Sequence, residues 1–317
     1  MRIVAIEEHV LPQDLGVGLG PAARSFAGVG ELLDDVGERR LAGMDAAGID
    51  VQVLSFLGHA VQEMEAAESV TTARAANDHL AASVAAHPDR FAAFATLPLA
   101  DPEASAAELH RAVGDLGFVG TMIHGQTRGR FLDDPAFSPV LNAAEELGVP
   151  IYLHPAEPPE PVARAYFSGL PDAASRLLMT AGWGWHAETG MHVLRLAVSG
   201  TFDAHPRLRL IVGHMGENLP FSLARADERL TPVTAGERPV MQTVLDHVVI
   251  TTAGYTTAPP LACALAVFGA ERILFSVDYP FSDNAGATAF LEGADLDEAD
   301  RERIAHGNAD TLLGLSR

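Results

Sequence analysis

Met1-Arg-Ile-Val-Ala-Ile-Glu-Glu-His9 opens the chain. Its apolar part, through Ile6, reads as a short buried strand that delivers Glu7, Glu8 and His9 at its C-terminal end. Side chains alternate faces along a strand, so Glu7 and His9 share one face and Glu8 takes the other. A carboxylate and an imidazole on one face can form half of a metal site. The same pair also fits a solvated polar strand end, and the rest of the chain has to decide between the two.

Working outward, the same unit recurs. Apolar runs that read as strands fall at 51–56, 91–97, 118–124, 149–154, 208–214, 247–252 and 272–278. Helical segments are expected between them, at 38–48, 63–87, 101–116, 135–147, 188–199, 218–230 and 259–268, and again after the last strand. Asp101-Pro102 places a cap residue and then a first-turn proline where a helix should open. Two stretches rich in Gly, Pro or aromatics, 11–37 and 156–185, read as long connections, the first of the kind that often serves as a lid or interface arm. The strands are near-continuous apolar runs, as strands buried on both faces should be. Eight strand-helix units in strict alternation predict a parallel sheet closed into a single (β/α)8 barrel over residues 1–317. The open doubly wound sheet is the alternative, but no Gly-rich phosphate loop follows the first strand.

The polar residues then fall into a pattern. Glu7 and His9 end strand one, His124 strand four, His154 strand five, His214 strand six and Asp278 strand eight. In a barrel these C-terminal ends converge on one rim, which is where this fold carries its chemistry. Glu7, His9, His154 and Asp278 would offer a metal two imidazoles and two carboxylates. Such a nitrogen and oxygen set suits zinc, manganese or iron(II). His214 leads into His214-Met-Gly-Glu217, where it could be a further ligand, an acid-base group or a carboxylate contact. Glu217 could fix its ring, or could simply be a first-turn helix carboxylate. Arg225, further along the same helix, reads on spacing as a solvated arginine. His124, Arg128 and Arg130 are weaker candidates for a pocket wall and His59 weaker again. The remaining histidines, His186 among them, read as structural or surface residues.

Composition narrows the partners. The formal charge of the 317 residues is −21, which argues against nucleic acid or an anionic membrane as partner. All 21 basic residues are arginine, so neither a Schiff-base lysine nor a carbamylated lysine bridging two metals is available. The one cysteine, Cys263, lies in an apolar helical run and can form no intrachain disulfide. No leader peptide and no bilayer-spanning stretch is expected, and the protein reads as cytoplasmic.

Together the segments Ile6-Glu-Glu-His9, Pro88-Asp-Arg-Phe91, Leu116-Gly-Phe-Val-Gly120, Tyr152-Leu-His-Pro155, Gly213-His-Met-Gly-Glu217, Leu274-Phe-Ser-Val-Asp-Tyr-Pro-Phe281 and Gly307-Asn-Ala309 resemble one family. It is that of the metal-dependent, amidohydrolase-type decarboxylases acting on hydroxybenzoates, such as γ-resorcylate and 2,3-dihydroxybenzoate decarboxylases. The resemblance spans essentially the whole chain. Its strand-one Glu-x-His distinguishes it from amidohydrolases with His-x-His there, including the related aminocarboxymuconate-semialdehyde decarboxylase. It implies Glu7, His9, His154 and Asp278 as ligands of one divalent metal, manganese or zinc. It also implies His214 and Glu217 as the active-site histidine and its partner, Arg225 near the substrate, and a homodimer or homotetramer. Two regions depart from the pattern: His124-Gly-Gln-Thr-Arg-Gly-Arg130, with His where the family usually carries Asn, and the Pro-rich 156–161.

The leading expectation is a metal-dependent non-oxidative decarboxylase of an ortho-hydroxybenzoate-like aromatic acid, with Asp278 supplying the proton and His124 and Arg225 contacting the substrate. A metal-dependent hydrolase of a lactone, ester or amide would use the same residues, with Asp278 as base to a metal-bound water. A barrel that only binds a ligand is the non-enzymatic alternative.

Overall fold

The computed structural model describes residues 1–19 and 28–315, so the expected 11–37 connection lies partly outside the described residues. All eight expected strands form: β1 Val4–Val10, β2 Val51–Phe56, β3 Phe91–Phe94, β4 Thr121–His124, β5 Ile151–His154, β6 Leu210–Val212, β7 Val248–Thr251 and β8 Ile273–Leu274. Neighbours pair in parallel and in chain order, β1-β2-β3 and β4-β5-β6-β7-β8. Two isolated parallel bridges span the seams, Ala95 to Thr121 between the third and fourth strands and Glu8 to Tyr279 between the first and the eighth. This is the architecture of a (β/α)8 barrel.

Two apolar layers follow from strand alternation. Val4, Ile6, Val53, Phe94, Met122, Tyr152, Ile211 and Leu274 pack together inside the ring. Ala5, Leu54, Ile123, Leu153, Val212 and Phe275 face outward under the helices. One irregularity sets the site. Strict alternation after Val4 and Ile6 would turn Glu8 inward and Glu7 and His9 outward. The register between β1 and β2 instead slips between Ala5 and Glu8, with Ala5 opposite Gln52 and Glu8 opposite Leu54. The extra residue is a β-bulge, a device that re-aims side chains. It puts Ile6 and Glu7 both inside and leaves His9 inside as well. The strand also runs on through the polar residues to Val10, beyond the expected end at Ile6.

Glu8, turned away, closes the seam. Its Oε1 accepts from the Val277 N–H at 3.0 Å and its Oε2 from Gln52 Nε2 at 3.3 Å. The His9 N–H donates to the Tyr279 carbonyl at 2.7 Å. Arg40 braces the join, donating to the His9 carbonyl at 2.6 Å and lying 4.6 Å over the Tyr279 ring. Burial pushes the Glu8 carboxyl up to about 8, against the pull of the Val277 N–H and Arg40.

The 156–185 connection is more ordered than its composition suggests. It contains helices Glu160–Phe167 and Asp172–Met179, and a third helix, Gly184–Val198, starts before the expected residue 188. Pro159, Pro161 and Pro171 stand at helix starts, where a missing N–H costs nothing. Among the described residues no helix is long and apolar enough to cross a membrane.

Candidate active site

The rim residues converge. Glu7, His9, His154 and Asp278 each present a ligand atom within 4.8 Å of the others. His9 Nε2 lies 3.3 Å from Asp278 Oδ1, and His154 Nε2 lies 3.3 Å from Glu7 Oε1. The far side of each group is tied down. His154 Nδ1 donates to the Pro155 carbonyl at 2.7 Å, so its Nε2 presents a lone pair to the cluster. His9 Nδ1 meets Ser55 Oγ at 3.1 Å. The Tyr152 hydroxyl donates to Glu7 Oε2 and lies 3.2 Å from Thr251 Oγ1. Gly213 is required here, because a Cβ at that position would sit 2.7 Å from Glu7 Oε2 and 2.9 Å from the Tyr152 hydroxyl.

Glu7 Oε1 and His9 Nε2 are buried without a hydrogen-bond partner. Buried acceptors facing one another are costly unless something positive lies between them. A divalent cation answers that cost, and the mixed nitrogen and oxygen donors, without thiolate, suit manganese or zinc. The residues therefore fit the group that the sequence implied.

Beside the cluster, His214 Nε2 lies 3.8 Å from Glu7 Oε1 and 3.7 Å from Asp278 Oδ2. Its Nδ1 donates to Glu217 Oε1 at 2.6 Å. The backbone is left-handed at His214, Met215, Glu217 and Asn218, and again at Asp278. Non-glycine residues held there carry strain of the kind that gathers at functional sites. Burial alone would push His214 down, but the carboxylates of Glu217 and Glu7 raise it well above an ordinary imidazole. Burial pushes Asp278 up, yet its contacts with His214 and His9 hold it below the usual carboxylate range. A proton in this group therefore rests on His214.

Of these residues His154, His214 and Asp278 line a cavity of about 280 Å³. Leu57, Ala60, Pro155, Leu177, Trp185 and Phe281 form much of its apolar wall. His59, read as a marginal candidate, lines it, and so does Gly18 from the first connection. His124 lines it too, with both ring nitrogens buried and unpartnered and its ring 4.7 Å from that of His154. Burial, then the neighbouring His154, hold His124 well below an ordinary imidazole, so it is neutral.

Within the single chain Arg225 does not reach the cavity, in line with its reading on spacing as a solvated arginine. It points outward from helix Leu219–Leu230, exposed, and donates to Glu228 Oε2 at 2.8 Å. His186, read as structural or surface, is buried in the cavity wall and donates from Nδ1 to Glu217 Oε2 at 2.5 Å. Nothing in its local sequence signals this, because the helix start that carries it is brought to Glu217 only by the tertiary fold. Tyr152 was also missed. It lies two residues before His154, at the parity that faces inward, and that spacing could have shown it.

A family model described as amidohydrolase matches residues 29–315, and the chain belongs to that family. Within it, the chain is 41% identical to a decarboxylase of Emericella nidulans, orsB, over 98% of this chain and 96% of that one. It is 39% identical to a gamma-resorcylate decarboxylase of Rhizobium sp., covering 98% of each. The crystal structure of a dihydroxybenzoic acid decarboxylase from Polaromonas sp., with bound manganese and the inhibitor 2-nitroresorcinol, superposes with a TM-score of 0.90. The identity there is 36%, over 100% of this chain and 98% of that one.

Proposed function

We propose that this protein is a divalent-metal-dependent, non-oxidative decarboxylase of a single-ring ortho-hydroxybenzoic acid. The observation that carries the reading is the buried, unpartnered Glu7 Oε1 and His9 Nε2, facing His154 and Asp278 on the floor of a cavity of about 280 Å³. The decarboxylase relatives support the same reaction and give no support to the hydrolase alternative.

A divalent ion held by Glu7, His9, His154 and Asp278 would neutralise the substrate's carboxylate and neighbouring phenolate. The chain's own groups do the rest. Asp278 passes a proton to the ring carbon that bears the carboxylate, and the carbon–carboxyl bond then breaks. Its electron pair returns to the ring and carbon dioxide leaves. His214, hydrogen-bonded to Glu217, holds the proton that replenishes Asp278. The apolar wall excludes water, and His124 offers its ring nitrogens to a hydroxyl on the substrate ring.

The wall also bears on which acids enter. Among the described residues no arginine lines the cavity, while Glu157 does, with its carboxyl raised by burial. A second carboxylate on the ring would find no counter-ion there and would pay its desolvation unaided. The substrate class is thus a monocarboxylic phenol. The exposed apolar side chains Tyr166, Leu177, Trp183 and Phe221 support assembly as a homodimer or homotetramer. The single cysteine and the absence of any intrachain disulfide fit the cytoplasmic compartment proposed for the enzyme.

Elemental analysis combined with a carbon dioxide assay tests this. About one divalent ion per chain is expected from one four-residue ligand set. Carbon dioxide is expected from monocarboxylic ortho-hydroxybenzoates and not from ring dicarboxylates. A metal-free protein with full activity, or two ions per chain, would contradict the proposal.

A further inference from the structure

We infer that His186 is a positioning residue for this reaction: it clamps Glu217 on the side away from His214 and ties the pair to the cavity wall. The inference rests on the decarboxylase reading of the same site. Glu217 is fully buried, and each of its carboxylate oxygens meets one imidazole. Oε1 lies 2.6 Å from His214 Nδ1 and Oε2 lies 2.5 Å from His186 Nδ1. The other nitrogen of His186, Nε2, is 2.9 Å from the Ala181 carbonyl. The Ala181 carbonyl and the Glu217 carboxylate are both acceptors, so His186 faces an acceptor at each ring nitrogen. A hydrogen bond to an ionised carboxylate is charge-assisted, the stronger kind. Burial would lift the Glu217 carboxyl, but His214 and then His186 outweigh it and keep it ionised.

The anchor at the other end is a tight turn. A Cβ at Gly184 would sit 2.0 Å from the Met179 carbonyl oxygen, and one at Gly182 2.6 Å from that of Leu177. Only glycine allows the chain to fold back so closely. The turn presents Thr180, Ala181 and Trp185 to the cavity. His186 therefore joins a fixed piece of cavity wall to the carboxylate that aims His214. With His186 gone, Glu217 keeps its bond to His214 but loses the contact that fixes its own orientation. The His214 ring is then free to leave the line to Asp278 Oδ2, and misplacement on the order of 1 Å costs about 10²-fold in rate.

Two amide variants separate the nitrogens of His186. His186→Asn places a donor near the Nδ1 position and can still reach Glu217. His186→Gln places its donor near Nε2 and reaches Ala181 alone. The expected result is an Asn variant within about fivefold of wild-type kcat and a Gln variant lower by about 10²-fold. In both, KM should stay within about threefold and the metal content should be unchanged. Equal activity of the two variants, or a loss expressed only in KM or metal content, would overturn the clamp while the wild type still decarboxylates. A wild type that releases no carbon dioxide would sink the decarboxylase reading instead. The proton NMR signal of the His214–Glu217 hydrogen bond would then still test the clamp: Gln should move it and Asn should not, and the reverse pattern overturns the inference.

Discussion

Asp278→Asn is expected to retain substrate binding and to lose turnover by about 10²–10⁴-fold, the range a positioned general acid supplies. Asparagine keeps the shape of the side chain and one oxygen toward His9, but it cannot carry an acidic proton. The loss should appear in kcat with little change in substrate affinity, measured by equilibrium binding of an unreactive substrate analogue. The position gives Asp278 this weight. One carboxylate oxygen faces His9 Nε2 at 3.3 Å and the other faces His214 Nε2 at 3.7 Å. Under the proposed function it would thus serve both as a ligand of the metal that the cluster fits and as the neighbour of the proton held on His214. Protonating a ring carbon disrupts aromaticity, so the step is slow unless the acid is already fixed next to that carbon. In the resting site Asp278 is held ionised by His214 and His9 against the effect of burial. Its proton must therefore arrive after the substrate's negative charge enters and water leaves, both of which favour the protonated carboxyl.

His214→Asn is the second large effect. It should leave about one metal ion per chain and lower kcat by about 10²–10³-fold. The carboxylates of Glu217 and Glu7 outweigh burial and raise His214 well above the ordinary imidazole value of 6.5. A raised value means that the proton is present below it and is lost as pH rises through it. The loss of activity that reports on His214 should therefore lie on the alkaline side, well past pH 6.5. In the variant that alkaline fall should be missing from what activity remains. Loss of the metal from His214→Asn would instead make His214 a ligand and refute its assignment as the proton store.

Much of this was legible in the sequence, for physical reasons. Strands buried on both faces must be apolar along their length, so a polar residue that ends one stands out. Glu7, His9, His124, His154, His214 and Asp278 were visible in that way. What stayed hidden depends on geometry between elements. The bulge between Ala5 and Glu8 decides that Glu7 and His9 face inward, and a single strand carries no sign of a register slip. His186 reaches Glu217 from a helix whose start is fixed by the turn at Gly182 and Gly184. Arg225 read on its spacing as a solvated arginine, and in the single chain its helix face does look to solvent. The helices within the 156–185 connection stayed hidden because prolines that open helices look, in sequence, like prolines that end them.

The central claim is that these residues deliver a proton to a ring carbon as carbon dioxide leaves. The most direct measurement is turnover of a monocarboxylic ortho-hydroxybenzoate by the metal-loaded wild type in heavy water. The predicted result is one equivalent of carbon dioxide and a phenol carrying one deuterium, at the carbon that lost its carboxylate. A ring-opened or hydrolysed acid, with no carbon dioxide from any such substrate, would contradict the account and make Asp278 the base of a hydrolase.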